Sequence, residues 1–461
     1  MRHTVYLFIV AVIVSIVPTT VLPAEPTSDP NDPIYRAIER WEVRGLVDKL
    51  PVLQPYPLSE LEHVLTTVIE RGTPAERAEA ERYLERITPA DGSLYTTVYA
   101  EGRVFTRDDE YQPKGAIGID LGARITDTIS IGAGVGAHAI DRGAEDLIPT
   151  GVRSTDDVLE DNAKVTVRGR DIYTLLQINT QTTFEWEKLW IQAGISRRSY
   201  GPYHNESPVV SRFSPQAPNL VLQYDVGPLR YTGSLFSHTA TAVFREIEET
   251  DDKSNIDVNQ DGQDDFWDKT KQYPGKHLFI QSFGFTPLPW LDLSLFESVV
   301  FGPRLELAYL VPLKFMWHAQ GTVAFADNSF LGATAEIRPA RGFRIPIVVY
   351  VDDASFNDLA TLNLDTKYKM ATVAALQWAP VAAWEPLLEV SYETVFPYMY
   401  THAALDPYTS EPNYNNYLHQ ETGVGNGLLP NSDRARVTVD LSPARWLGVE
   451  LTGAVLRHAN A

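Results

Sequence analysis

The clearest chemical spacing in this sequence lies between positions 257 and 268. Asp257, Asn259, Asp261, Gln263, Asp265 and Asp268 occupy positions one, three, five, seven, nine and twelve of a twelve-residue segment. Oxygen donors at this spacing can converge on one Ca2+, with Gln263 offering its backbone carbonyl. Gly262 at position six permits the sharp turn such a loop needs. Asp268 stands where the usual loop carries Glu, which shortens its bidentate reach. The flanks lack convincing helices, so the expectation is a calcium loop without a helix–loop–helix frame. The ion would be structural, holding a long connection whose closure costs entropy. The alternative is a solvated acidic loop with Asx turns.

A second group is aromatic and amide-rich. Tyr398, Tyr400, His402, Tyr408, Tyr414, Tyr417 and His419 interleave with Asp406, Asn413, Asn415 and Asn416. Sugars need flat apolar faces for their C–H surfaces and amides or carboxylates for their hydroxyls; Tyr combines an apolar body with a polar tip. The plain alternative is an aromatic girdle continued into a folded loop. A third group, Arg197, Arg198, Tyr200, Tyr203, His204 and Arg212, concentrates cations in an acidic chain. Such cations suit an anionic polysaccharide or, equally, acidic partners inside the protein. The histidines are scattered with no His-Glu-x-x-His, and no Gly-x-Ser-x-Gly elbow occurs, so catalysis has little support.

The elements that must position these groups are strands. Ile117, Ile119, Leu121, Ala123 and Ile125 alternate with Gly118, Asp120, Gly122 and Arg124. After Thr126-Asp127-Thr128 the alternation resumes through Ile129, Ile131, Ala133, Val135 and Ala137. Period two marks strands with one apolar face, and such strands of about 9–11 residues can cross a bilayer. From residue 91 onward the connections segregate by length. Short ones fall at 126–128, 187–188, 227–228, 287–290, 339–342, 382–386 and 443–445; long polar ones span 141–162, 197–218, 246–276, 352–366 and 397–432. Short turns at one end and long loops at the other describe an outer-membrane barrel of roughly 16–18 strands. Trp186, Trp190, Trp290, Trp384 and Trp446 beside the short turns suggest an interfacial girdle on the periplasmic side. By the rhythm of the turns the last strand runs outward, which leaves either an unread strand near residues 301–326 or a closing strand outside the sequence.

Arg2 and His3, an apolar run from Val5 to Val17, and a small-residue tail before Glu25 have the layout of a secretory signal peptide, residues 1–24. Residues 25–90 read as a small three-helix periplasmic unit. Its stripes are Ile34, Ile38, Trp41 and Leu46, then Leu61, Val64, Leu65, Val68 and Ile69. Ser59 and Glu62 have capping-box spacing, and a charge-laced third helix spans 74–87. Residues 91–461 form the barrel. The 461-residue chain has no cysteine, hence no disulfide and no lipid attachment point, and its formal charge of −21 disfavours nucleic acid. No run after the signal segment has the ~20 apolar residues of a membrane helix, so a membrane protein of this composition must be a barrel.

The order of several short motifs resembles the Wzi-like capsule assembly family of outer-membrane proteins. These are Tyr35-x-x-Ile38-Glu39-Arg40 with Gly45 and Pro57-Leu58-Ser59; Gly201-Pro202, Ser211 and Ala217-Pro218-Asn219-Leu220; Tyr309-x-x-Pro312-x-x-Phe315; Asn328-x-x-Leu331-Gly332; Tyr350-Val351-Asp352-Asp353; and Tyr398-x-Tyr400-x-His402 leading to Gly425-x-Gly427 and Pro430-Asn431-Ser432. Tyr200 and Tyr203 stand where a tryptophan and a glycine are expected. The resemblance implies an eighteen-stranded barrel with a helical bundle on its periplasmic side, a lectin-like and non-enzymatic role, and capsular or other surface polysaccharide as ligand. The expected partners are that polysaccharide, outer-membrane lipid and the barrel-insertion machinery. The competing reading is a porin-like channel. An open, charged eyelet would mark the channel; a lumen filled by inward loops would mark the binder. Residues 301–320, apolar yet carrying Arg304, Glu306 and Lys314, are the expected inward plug. A barrel hydrolase is a third, weaker reading.

Overall fold

The computed structural model describes residues 29–459 except 49, 89–94, 108–109, 142–163, 168–169, 204, 241–273, 324–326, 353–360, 362–368, 402–412, 420–421 and 445–446. The first part is helical: α1 (Pro33–Val43), a two-residue β1 (Leu53–Gln54), α2 (Leu58–Arg71) and α3 (Pro74–Ile87). Pro33 supplies a preset φ at the first turn of α1, and the Asp32 carboxylate accepts from Ile34 N at 2.9 Å. The helix closes with Gly45 at φ +68° and a Leu46 N→Trp41 O bond of 3.0 Å, a turn that favours glycine. The apolar stripes expected of these helices meet in one core around Ile38, Trp41, Leu61, Val64, Leu65 and Val68. The expected Ser59–Glu62 box does not form. Pro57 precedes α2 without a side-chain cap, Ser59 bonds Glu185, and Glu62 pairs with Arg124 at 2.7 Å. The capping box sits instead at α3, between Thr73 and Glu76.

The rest is one large antiparallel sheet with short ribbons and a helix in its connections. Its elements are β2 (Tyr95–Arg107), β3 (Glu110–Thr126), β4 (Ile129–Asp141), β5 (Lys164–Val167), β6 (Arg170–Trp186), β7 (Leu189–Ser196), β8 (Ser199–Tyr200), β9 (Ala217–Val226), β10 (Leu229–Thr239), β11 (Gly275–Leu288) and β12 (Leu291–Phe301). After α4 (Met316–Val323) come β13 (Asn328–Ala340), β14 (Phe343–Asp352), β15 (Lys369–Trp378), β16 (Leu387–Val395), β17 (Leu418–His419), β18 (Thr422–Gly423), β19 (Ser432–Ala444) and β20 (Leu447–His458). Among the described residues the sheet has sixteen strands: fifteen follow one another from β2 to β20, and β5 flanks β6. That lies within the range read from sequence and below the eighteen implied by the resemblance. β1 pairs with β8, and β17 with β18, as separate ribbons. Among the described residues no helix is long and apolar enough to cross a membrane.

Alternation decides which face each residue takes. Along β9 the odd-numbered Ala217 and Val221 are buried while Leu220, Tyr224 and Val226 are exposed. The same outward apolar band includes Ile119, Val135, Ile178, Leu295, Val390 and Val455. Trp186, Trp290 and Trp384 are exposed near the short turns as expected. Trp190 is not: it is buried in the lumen core. Trp186 pairs with Leu189 across the two-residue turn, so Leu189 shares its face and Trp190 takes the opposite one. Trp446 lies outside the described residues.

Of the two alternatives, the unread strand near 301–326 is not found among the described residues, for a geometric reason. β12 pairs directly with β13, from Leu291↔Ile337 to Val300↔Asn328, so no strand can lie between them. The intervening chain holds a short 3-10 turn, Leu307–Leu310, and α4. Nor does it plug the lumen. It covers Phe279, Val299 and Phe301, residues of the outward face.

Candidate functional site: the filled lumen and the long-loop end

The helical unit sits against the short-turn end of the sheet and reaches into it. Arg344 of β14 lies between two buried carboxylates, 2.9 Å from Glu42 of α1 and 2.5 Å from Glu336 of β13. Arg338 also touches Glu336 and reaches Asp292 at 2.6 Å. Arg44 pairs with Glu76 and Glu385, and Arg36 with Asp440 and Glu450. Gln377 donates to Glu39 at 2.8 Å and to Glu389 at 2.7 Å, which joins α1 to the lumen wall. A cavity of ≈ 190 Å³ remains between residues 50–56 and the turns of β9–β14.

Above this layer the connection between β7 and β9 folds inward. Its Tyr203 hydroxyl donates to Ser391 at 3.0 Å, and Asn205 donates to Glu389. Glu206 lies 2.9 Å from Arg434 and 2.8 Å from Arg436, and accepts from Gly427 N at 3.0 Å. Burial pushes its carboxyl up, but the two guanidiniums outweigh burial and hold it below the usual carboxylate range. The loop after β16 enters from the other side. Tyr400 donates to Pro208 O at 2.6 Å and Tyr417 to Val209 O at 2.7 Å, while Ser211 N donates to Val424 O at 2.9 Å. Wall residues clamp the same loop: Lys276 Nζ donates to Asn416 O at 2.7 Å and Asn328 to Asn415 O at 2.9 Å. His419 accepts from Thr239 N at 3.1 Å through Nδ1 and faces Gln216 O at 2.9 Å through Nε2. That pattern fixes the neutral tautomer with its proton on Nε2. Burial pushes the His419 pKa down to about 4.

Aromatic rings complete the partition. Tyr200, Phe296, Tyr350, Phe330, Tyr417 and Tyr400 follow one another at centroid distances of 4.9, 5.7, 4.9, 5.1 and 5.4 Å, the range of favourable ring contacts. Gly332 makes room for this stack, since a Cβ there would fall 2.0 Å from the Phe296 ring.

The structure thus separates the expected sugar-binding residues. Arg197, Arg198 and Tyr203 are buried, and Arg212 is half-buried. Arg197 faces Asp29 at 3.5 Å; Arg198 donates to Asn219, Gln192 and Pro55 O; the Arg212 carbonyl accepts from Asn31. The contacts of Arg197, Arg198 and Arg212 tether the segment around 29–56 to the wall. Tyr417 is likewise buried, Tyr400 and Tyr414 are half-buried, and Tyr398 is 63% exposed at the long-loop end. His402 and Tyr408 lie outside the described residues. So do Asp257, Asn259, Asp261, Gln263, Asp265 and Asp268 of the calcium loop. Among the described residues no cluster of His, Asp and Glu has metal-binding spacing. Glu206, Glu389, Arg434 and Arg436, which hold the partition, were not singled out from sequence. Their only signal was charge at inward positions of strands and of one loop.

No family model matches the chain, and no curated protein does. Among solved structures, the chain is similar to Wzi of Escherichia coli, described as a carbohydrate-binding β-barrel involved in group 1 capsule assembly. The TM-score is 0.56 at 12% identity, over 94% of this chain and 84% of that one. It also aligns with OpdO of Pseudomonas aeruginosa at a TM-score of 0.37 and 14% identity, over 80% of this chain and 81% of that one. At this identity the likeness speaks for the fold. The chain has the fold of an outer-membrane β-barrel of the Wzi type.

Proposed function

We propose that this protein is a closed outer-membrane barrel that binds surface polysaccharide at its long-loop end and carries out no reaction. The observation that supports this most is the filled lumen: two inward loops, an aromatic partition and the helical unit occupy the space a porin keeps open. The similarity to a carbohydrate-binding barrel supports the same ligand class. On this reading the helical unit is periplasmic, Tyr398 offers a ring to the glycan, and the insertion machinery of the envelope places the barrel. The calcium loop would stiffen one long connection beside the glycan.

The test is single-channel conductance of the purified chain in planar bilayers, alongside capture of surface glycan from native envelopes. A silent bilayer with retained glycan, and retention weakened severalfold by Tyr398→Ala, supports the binder. Steady open-channel conductance without glycan retention overturns it in favour of the channel. Calcium titration calorimetry of the full chain against Asp257→Ala tests the metal separately; equal heats from both would remove calcium from the proposal.

A further inference from the structure

Residues 302–323 fold back over the outside of the sheet. The ladder register shows this. Leu220, Leu235, Phe279 and Val299 form one cross-strand row on the outward face. Leu220, at the open end of the row, is 47% exposed; Phe279 and Val299 are 5% and 0% exposed because Tyr309, Met316 and Ala319 cover them. One step further down, the outward face carries a polar pair, Gln281 opposite Glu297. Both are buried under the flap. Gln281 donates to Glu297 and to Lys314 O at 2.7 Å, and Met316 N donates to the Glu297 carboxylate at 3.0 Å. Glu297 is four residues below the end of β12, so the flap descends roughly 13 Å along the wall.

The arrangement solves two problems together. A carboxylate and an amide on the lipid face of a barrel would lack partners in hydrocarbon. Non-helical backbone at that depth has the same need, and the pair supplies partners to a donor and an acceptor of the flap. Two of the flap's charges are matched as well, with Arg304 3.0 Å from Asp327 and 3.8 Å from Glu306. What the flap turns outward is mainly apolar: Leu305, Leu307, Val311, Leu313 and Phe315 are 50–74% exposed, with His318 the exposed polar side chain of α4. This surface continues the wall's band at Leu293, Leu295 and Phe285.

We infer that the β12–β13 connection is a membrane-embedded flap whose outer face, centred on Leu307 and Leu313, is solvated by acyl chains of the surrounding membrane. It gives the barrel an apolar exterior over a polar patch of its own wall.

Because the chain has no cysteine, single-cysteine variants report one site each. Leu307→Cys and Leu313→Cys, spin-labelled in the full chain and reconstituted into phospholipid vesicles, are compared with Leu295→Cys on the wall and Asp127→Cys in a short turn. The expected result is an oxygen-to-nickel-chelate accessibility ratio matching Leu295→Cys and severalfold above Asp127→Cys. A ratio like that of Asp127→Cys would show an aqueous loop and overturn the inference. Protection from both reagents, with Leu313→Cys cross-linking between copies, would overturn it in favour of a protein partner.

Discussion

The two ends of the barrel interior are closed by different physics. At the short-turn end the helical unit is held by buried ion pairs: Glu42–Arg344–Glu336, Arg44–Glu76 and Arg36–Asp440. At the long-loop end one buried ion cluster, Glu206 with Arg434 and Arg436, is outnumbered by tyrosine hydroxyls, backbone carbonyls, stacked rings and a neutral histidine. Ionic closure is strong only while every charge keeps its partner. Removing one leaves the other buried and alone, which destabilises far more than the intact pair stabilises. The aromatic closure loses one small contribution at a time. The first end should therefore fail abruptly and the second gradually.

The largest expected effect follows from Arg344→Ala, which leaves buried Glu42 and Glu336 to share Arg338 as their one remaining cation among the described residues. A loss of about 3–5 kcal/mol is expected. Hydrogen exchange should rise across 33–43 and leave 413–419 protected; equal loss at both ends would end the distinction drawn here. Next comes Gly332→Ala, whose new methyl group meets the Phe296 ring. Overpacking should cost about 1–3 kcal/mol, read as a lower thermal midpoint in detergent and slower exchange-protected recovery of the partition. A midpoint equal to that of the parent chain would mean the ring stack yields freely.

Acid should act on the long-loop end through His419. Its folded pKa, about 4, lies below the ordinary histidine value, so the opened loop takes up the proton first. The clamp is complete above about pH 6.5 and weakens as pH falls toward 4, by roughly tenfold in the opening equilibrium per pH unit. Proteolysis of the 413–428 loop at pH 7.5 and pH 5 checks this, and His419→Gln should flatten the difference. The smallest effect is that of Tyr417→Phe, which removes the hydroxyl's bond to Val209 O and its contact with the Tyr350 hydroxyl and should cost about 1 kcal/mol. A loss several times larger would mean that the two loops close as one cooperative unit rather than bond by bond.

Much of this architecture was legible in the residues. Alternation at Ile117–Ile125 placed β3, since only a strand puts every second residue on one face. Pro74 and the charges after it marked α3 to its observed limits. The capping signal misled because the same Ser/Thr-x-x-Glu spacing occurs twice, at Ser59 and at Thr73. Propensity cannot see that Glu185, 126 residues away, bonds Ser59. Trp190 misled because nearness to a turn does not set the face of a strand residue; the register across the turn does.

The sequence by itself determined the strand period, the alternation of short turns and long loops, the helical unit and the acidic character, since each depends on neighbours in the chain. Only the tertiary structure decided where irregular segments go. Arg198 and Tyr203, with charge and aromatic bulk suited to a glycan, became interior struts. The apolar 302–323 segment turned outward instead of inward. Composition is the same for a plug and for a flap, and the outcome rests on which wall face offers matching partners. Gln281 and Glu297 on the outward face met that need through pairings across strands that are distant in sequence.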